Sequence, residues 1–172
     1  QLYRLVGLPA SGARVASTAA GAVGRWRCSN RVALAVPDAT RKLNLAAALA
    51  AVESCLENPT VIIGLGLHRS MTDAELAPIA SWHPIQHDPD ACAPLTKNGI
   101  QIGKISHTIA DAEWSLSIGV VELHQYAGYS GGHKGVAVGC GGRDTILQLH
   151  SRESIRAAGV EVGRISGNPF RQ

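Results

Sequence analysis

A chain of 172 residues with 45% hydrophobic and 17% charged side chains carries enough apolar material for one core, and a single domain is expected. The formal charge of +3 is mild, aromatics are only 4%, and the basic residues are scattered from Arg25, Arg27, Arg31, Arg41 and Lys42 onward. That argues against nucleic-acid binding, which uses a basic stripe with stacking rings. No stretch approaches the roughly 20 apolar residues of a membrane span, and the first residues lack the charged-then-apolar order of a signal peptide. Cys28, Cys55, Cys92 and Cys140 form no CxxC pair, so neither a zinc knuckle nor a disulfide framework is signalled and a cytoplasmic location is expected. The chain opens on Gln1 rather than Met, as a processed chain, an excised domain or a part of a longer listing would.

In chain order, Arg31 to Val36 reads as a short buried strand ended by the polar turn Pro37 to Arg41. A helix is predicted over Leu43 to Glu57, where Leu45, Leu49, Val52 and Leu56 make one apolar stripe, and Asn58-Pro59 stops it. Thr60 to Gly66 is a second strand, apolar enough to be covered on both faces. It runs into His68 and Arg69. Thr72 and Glu75 have the spacing of a capping box, which starts a helix that ends near Trp82 to Pro84. His87 to Gly103 carries Pro, Asp and Gly and is left unassigned. A third strand is predicted over Trp114 to Val121, a helix from about Arg143 to His150, and a further helical turn or two over Ser151 to Ala158.

The recurring order of strand, polar turn and helix predicts an α/β, Rossmann-like domain with a mostly parallel sheet and flanking helices. Ligands in such folds bind outside the carboxyl ends of the strands. Asp38 to Arg41, His68 to Arg69 and His124 to Lys134 are therefore expected to share one edge.

At that edge the side chains suggest chemistry. His68 and His124 each follow a strand, and two facing imidazoles suit acid/base work on both sides of one small substrate, although either alone reads as a surface or helix-start histidine. Arg41 and Arg69 could bind a carboxylate in two-point fashion or form surface ion pairs. Lys134 follows Ser130-Gly131-Gly132-His133 and is expected on a flexible turn, where it could bind an anion or act covalently with a lowered pKa. The stretch is neither a Walker A loop nor a dinucleotide fingerprint. His150 closes a helix, where the dipole favours a cation. His83, His87, His107 and His133 stay outside the catalytic set, with His87 beside Asp88 the leading exception.

Five segments, in order, carry a resemblance: "PDATRK", "GLHRSMTDAEL", "QHDPD", "HQYAGYSGGHKGVAVG" and "TILQLH" ending at His150. They are similar to signature segments of the lactate racemase family, and the resemblance spans roughly Arg31 to Ser151. Two departures stand out. Val138 precedes Gly139 where the family commonly has Pro, and His133 stands where it often has Arg or Pro.

The resemblance implies a nickel-pincer nucleotide, joined as a thioamide to Lys134 with its nickel held also by His150. It implies that His68 and His124 are the acid/base pair and that Arg41 binds the substrate carboxylate. Asp38 matches a cofactor-side acid, and Ser130, Gly131 and Gly132 the loop that admits the cofactor. The implied function is racemisation or epimerisation of a lactate-like 2-hydroxy acid by hydride transfer. The alternative is a non-catalytic nucleotide- or anion-binding module derived from the same family. Residues 1–172 would form the family's N-terminal domain, with its C-terminal domain absent. Expected partners are the small hydroxy acid, the cofactor-synthesis enzymes, and a C-terminal domain or second chain, with no nucleic acid and no membrane.

Overall fold

The computed structural model describes residues 31–54 and 56–171. Arg25, Arg27, Cys28 and Cys55 lie outside them. In chain order the elements are β1 (Val32–Pro37), α1 (Leu45–Glu53), β2 (Thr60–Gly64), α2 (Asp73–Leu76), β3 (Ile85–Gln86), β4 (Cys92–Lys97) and β5 (Ile100–Ser106). Then come α3 (His107–Ala110), β6 (Trp114–Ser117), β7 (Leu123–His124), β8 (Gly128–Tyr129), α4 (His133–Ala137), α5 (Arg143–Leu149) and α6 (Arg152–Ile155). Two 3-10 turns lie at Ala77–Trp82 and Pro169–Arg171.

The strands β3, β2, β1 and β6 form one parallel sheet in that order, as the alternation of strand and helix predicts. β1 is central and buried from Val32 to Val36. Side chains alternate across a strand, so Val32, Leu34 and Val36 pack on one face with Leu49, Val52, Val61, Ile63 and Ile79. Ala33, Ala35 and Ile62 face the other way, against Ile105, Ile109, Val136 and Cys140. The parallel sheet is thereby covered on both faces, as its apolar strands require.

The second face is built for close backbone approach. A Cβ on Gly64 would lie 3.1 Å from the Gly135 carbonyl oxygen and 3.2 Å from Gly139 Cα, tighter than ordinary contact. The Gly66 N–H also donates to the Gly139 carbonyl at 2.8 Å. Glycine at these positions thus draws α4 against the end of β2.

Several boundaries differ from the sequence expectations. The first helix starts at Leu45 because the Asn44 side chain caps it, accepting from the Ala47 N–H at 3.1 Å, and it is helical only to Glu53. The second strand stops at Gly64, since Gly66 takes a positive φ of 57°. The capping box at Thr72 and Glu75 is formed, but α2 is a single turn that tightens into the 3-10 turn at Pro78. The last parallel strand ends at Ser117, beyond which only the Ile118 N–H continues the pairing, to the Ala35 carbonyl. Residues 87–103, unassigned from sequence, hold the β4–β5 hairpin, turned by Asn98 (φ 52°) and Gly99 (φ 78°). Lys134 does not sit on a flexible turn: it is the second residue of α4, a short helix of poor intrinsic propensity held by packing on β1 and β6. Among the described residues no helix is long and apolar enough to cross a membrane.

Candidate active site

From β1 the chain proceeds outward to β2 and β3, then returns to place β6 on the opposite side of β1. Such a reversal opens a crevice at the carboxyl ends of the strands. A cleft of ≈ 300 Å³ lies there, walled by Pro37 and Asp38 after β1, Gly64 to His68 after β2, and Ser117 to Val120 after β6. Arg41, His124, Ser130, Gly131, Lys134 and His150 complete its lining. Residues spread over more than a hundred positions of sequence are brought together as expected.

The turn after β1 prepares an acid/base group. Asp38, only 6% exposed, accepts from the Thr40 hydroxyl at 2.6 Å and the Thr40 N–H at 3.2 Å through one oxygen. Its other oxygen lies 2.7 Å from His68 Nδ1. Burial pushes the Asp38 carboxyl up, but these hydrogen bonds and the His68 charge outweigh it and hold the group below its ordinary value. A carboxylate at that distance takes the Nδ1–H of His68, so in its uncharged form the ring carries its lone pair on Nε2. Asp38 is thus placed as the partner of His68.

His124 is held differently. Its Nδ1 accepts from the Tyr126 and Ala127 backbone N–H groups, each at 3.1 Å. Burial lowers its pKa to about 4, helped by the charges of Lys134, Arg41, His150 and Arg171. It is a neutral imidazole at physiological pH. The Arg41 guanidinium pairs with Glu122 at 3.4 Å, in a partly exposed setting where an ion pair is worth little and an incoming anion can compete.

Lys134 is lowered from its ordinary value by burial and by the Arg41 and Arg171 cations, which favours the uncharged, nucleophilic amine. His150 Nδ1 lies 2.7 Å from the Ile146 carbonyl one helical turn earlier. Donation of that N–H orients the ring and leaves Nε2 as a metal donor, the arrangement usual for a ligating histidine. Among the described residues no three His, Cys, Asp or Glu side chains are grouped to hold a metal ion. A metal at His150 would need its other donors from a bound group. The buried Ser117 hydroxyl, in the cleft lining, has no hydrogen-bond partner among the described residues and offers such a group a polar contact. These features fit a metal carried by an organic ligand anchored at Lys134.

Other candidates are placed elsewhere. Gly132 lies outside the cleft lining and starts α4 with a φ of 58°. The Ser130 hydroxyl donates to the Val120 carbonyl at 2.8 Å and accepts from the Glu122 N–H at 2.9 Å, locking the loop to the extension of β6. Gly131 (φ 73°) is required where it stands, since a Cβ would meet the Val120 carbonyl oxygen at 2.9 Å. Arg69 turns away to a two-point pair with Glu75 at 2.7 and 2.8 Å. His87 is buried and bonded to the Gly141 carbonyl at 2.8 Å.

Residues near the C-terminal turn, unmarked in the sequence, brace the site from behind. Tyr126 stacks on Phe170 at 6.0 Å, and both rings meet His150 edge-on at 6.2 Å. Asn168 and Arg171 bond to the backbone of the glycine-rich loop. The signals available were modest: Asn168-Pro169 as a turn, and Phe170 as the single Phe of the chain.

A parallel α/β domain whose switch-point cleft holds two imidazoles, a lysine of lowered pKa and a third imidazole has the form of a small-molecule site. The chain belongs to the lactate racemase N-terminal domain family, whose sequence model matches residues 24–163. It is 27% identical over 118 residues, 63% of its length, to the lactate racemase of Lactiplantibacillus plantarum. Its fold matches that of the lactate racemase apoprotein from Thermoanaerobacterium thermosaccharolyticum with a TM-score of 0.71 at 20% identity, over 96% of this chain. The chain spans 28% of the first relative and 41% of the second.

Proposed function

We propose that this domain is the cofactor-holding part of a racemase or epimerase of 2-hydroxy acids, carrying a nickel-pincer nucleotide on Lys134. The observation that supports it most is the shared cleft of His68, His124, Lys134, His150 and Arg41. A nickel-pincer nucleotide held there by Lys134 and His150 would supply hydride-transfer chemistry at the Cα of a 2-hydroxy acid. Lys134 is the tether, its amine favoured as a nucleophile by burial and neighbouring cations. His150 supplies Nε2 to the nickel. Arg41 exchanges Glu122 for the substrate carboxylate and orients the acid.

His68 takes the hydroxyl proton at Nε2, and the imidazolium formed is stabilised by Asp38 at 2.7 Å. His124 is its counterpart in the acid/base pair. Lactate, the substrate in the relatives' names, is the first acid to try. The partners of this reading are the cofactor-synthesis enzymes and a C-terminal domain or second chain that closes the cleft, and its setting is the cytoplasm.

The test is production of this chain with nickel and the cofactor-synthesis enzymes, alone and joined to a C-terminal domain of a relative. Chiral analysis of single-enantiomer lactate and larger 2-hydroxy acids should show conversion to the mirror image in a form that carries nickel. Nickel-loaded protein that leaves every such acid unchanged, with and without the second domain, sinks the enzyme reading and leaves the binding module.

A further inference from the structure

The backbone of Tyr126 and Ala127 is gripped from two sides. Their N–H groups both donate to His124 Nδ1 at 3.1 Å. Their carbonyls both accept from the C-terminal turn: Tyr126 from Asn168 Nδ2 at 2.8 Å, and Ala127 from Arg171 Nε at 2.9 Å. Asn168 is 1% exposed and is itself bonded to the Arg164 carbonyl at 3.1 Å, so the grip has a fixed base. Arg171 uses its whole fork, adding the Tyr129 carbonyl at 2.6 Å and His133 Nε2 at 3.3 Å. One guanidinium thus spans the glycine-rich loop on three partners, a geometry that a lysine cannot reproduce.

A neutral imidazole carries one proton, and a nitrogen that accepts two N–H groups cannot be the one that bears it. His124 therefore holds its proton on Nε2. His68, with its Nδ1–H directed to Asp38, has the opposite arrangement when uncharged: a lone pair on Nε2. One imidazole of the pair is an acceptor and the other a donor.

We infer that Asn168 and Arg171 are positioning residues that, through the Tyr126–Ala127 turn, fix His124 as a hydrogen-bond donor into the cleft opposite the acceptor His68. The resting site is then polarised. A hydroxyl presented to His68 finds a base at once. A hydroxyl presented to His124 finds one only after the His124 proton has moved to Nδ1 and both turn hydrogen bonds have broken. The inference rests on the reading of His124 as an acid/base residue, but its test needs neither nickel nor cofactor.

The experiment is nitrogen NMR of the histidine rings at neutral pH in the cofactor-free chain, native and as Arg171→Met, Arg171→Lys and Asn168→Ser. In the native chain His124 should show an unprotonated Nδ1 and a protonated Nε2, and His68 a protonated Nδ1. In Arg171→Met and Asn168→Ser, His124 should become a mixture of tautomers, with Arg171→Lys restoring little. His68 and His150 should keep their Nδ1 protons in all of them, which a general loss of structure would not allow. If Asn168→Ser fails to fold, the Arg171 pair decides. A native His124 protonated at Nδ1 overturns the proposal, and so does a folded Arg171→Met whose His124 tautomer is unchanged. Loss of the Lys134 adduct would count against the proposed function and leave this result standing.

Discussion

At neutral pH His124 is uncharged because burial and four surrounding cationic or titratable groups, Lys134, Arg41, His150 and Arg171, oppose its proton. Unfolded it titrates near 6.5 and folded near about 4, so between those values the unfolded chain binds more protons. Stability should accordingly fall as pH drops from 6.5 toward 4. His124→Gln should lose less melting temperature than the native chain between pH 7 and pH 5. His87 and His133, also lowered chiefly by burial, keep the remainder of the slope. Thermal melts at the two pH values check this, and an unchanged slope in His124→Gln would contradict it. Within the cleft, a ligand and a base should fail differently. His150→Ala should lose nickel while keeping the Lys134 adduct. His68→Ala should keep nickel but slow turnover by a factor on the order of 10² or more. Arg41→Ala should mainly raise KM, because its guanidinium is assigned to the carboxylate throughout the reaction. Metal analysis beside steady-state rates separates the three.

Among the elements, α4 has the most to lose from small changes, since its position depends on backbone contact rather than on side-chain interlocking. Gly64→Ala inserts a methyl 3.1 Å from the Gly135 carbonyl oxygen. Overpacking of this kind costs about 1–3 kcal/mol, and denaturant unfolding should show a loss in that range. A Gly64→Ala chain as stable as the native one would mean that α4 moves freely. The same contact explains what sequence could and could not reveal. β1 and β2 were legible because uninterrupted Val, Ile, Leu and Ala leave no reading but a buried strand, and α2 because Thr72 and Glu75 announce its cap. α4 was not, because its His-Lys-Gly-Val-Ala run has no helical stripe and is ordered by β1 and β6. The β4–β5 hairpin left its mark in Asn98-Gly99, a strong hairpin signal set among prolines and aspartates that obscured it. His68 and His124 were visible as histidines after strands, Lys134 as a lysine in a glycine-rich turn and His150 at a helix end, while the Asn168 and Arg171 grip joins residues some 42 and 44 positions apart and has no local signature.

For the molecule as a whole, the central strand does two jobs. Its buried face-to-face alternation holds both layers of core, and its carboxyl end sets the floor of the cleft. Ile62 of the neighbouring β2 is fully buried on the layer that carries α4, and Ile62→Ala should cost about 2–5 kcal/mol by denaturant unfolding. On the proposed function, this cleft anchors a nickel-bearing nucleotide at one amine. The most direct measurement is the mass of the peptide containing Lys134, from protein made with nickel and the cofactor-synthesis enzymes and from protein made without them. Lys134 should carry an added mass in the first preparation alone, abolished by Lys134→Arg. An unmodified Lys134 in both, while a lactate racemase produced in parallel carries its adduct, would contradict it.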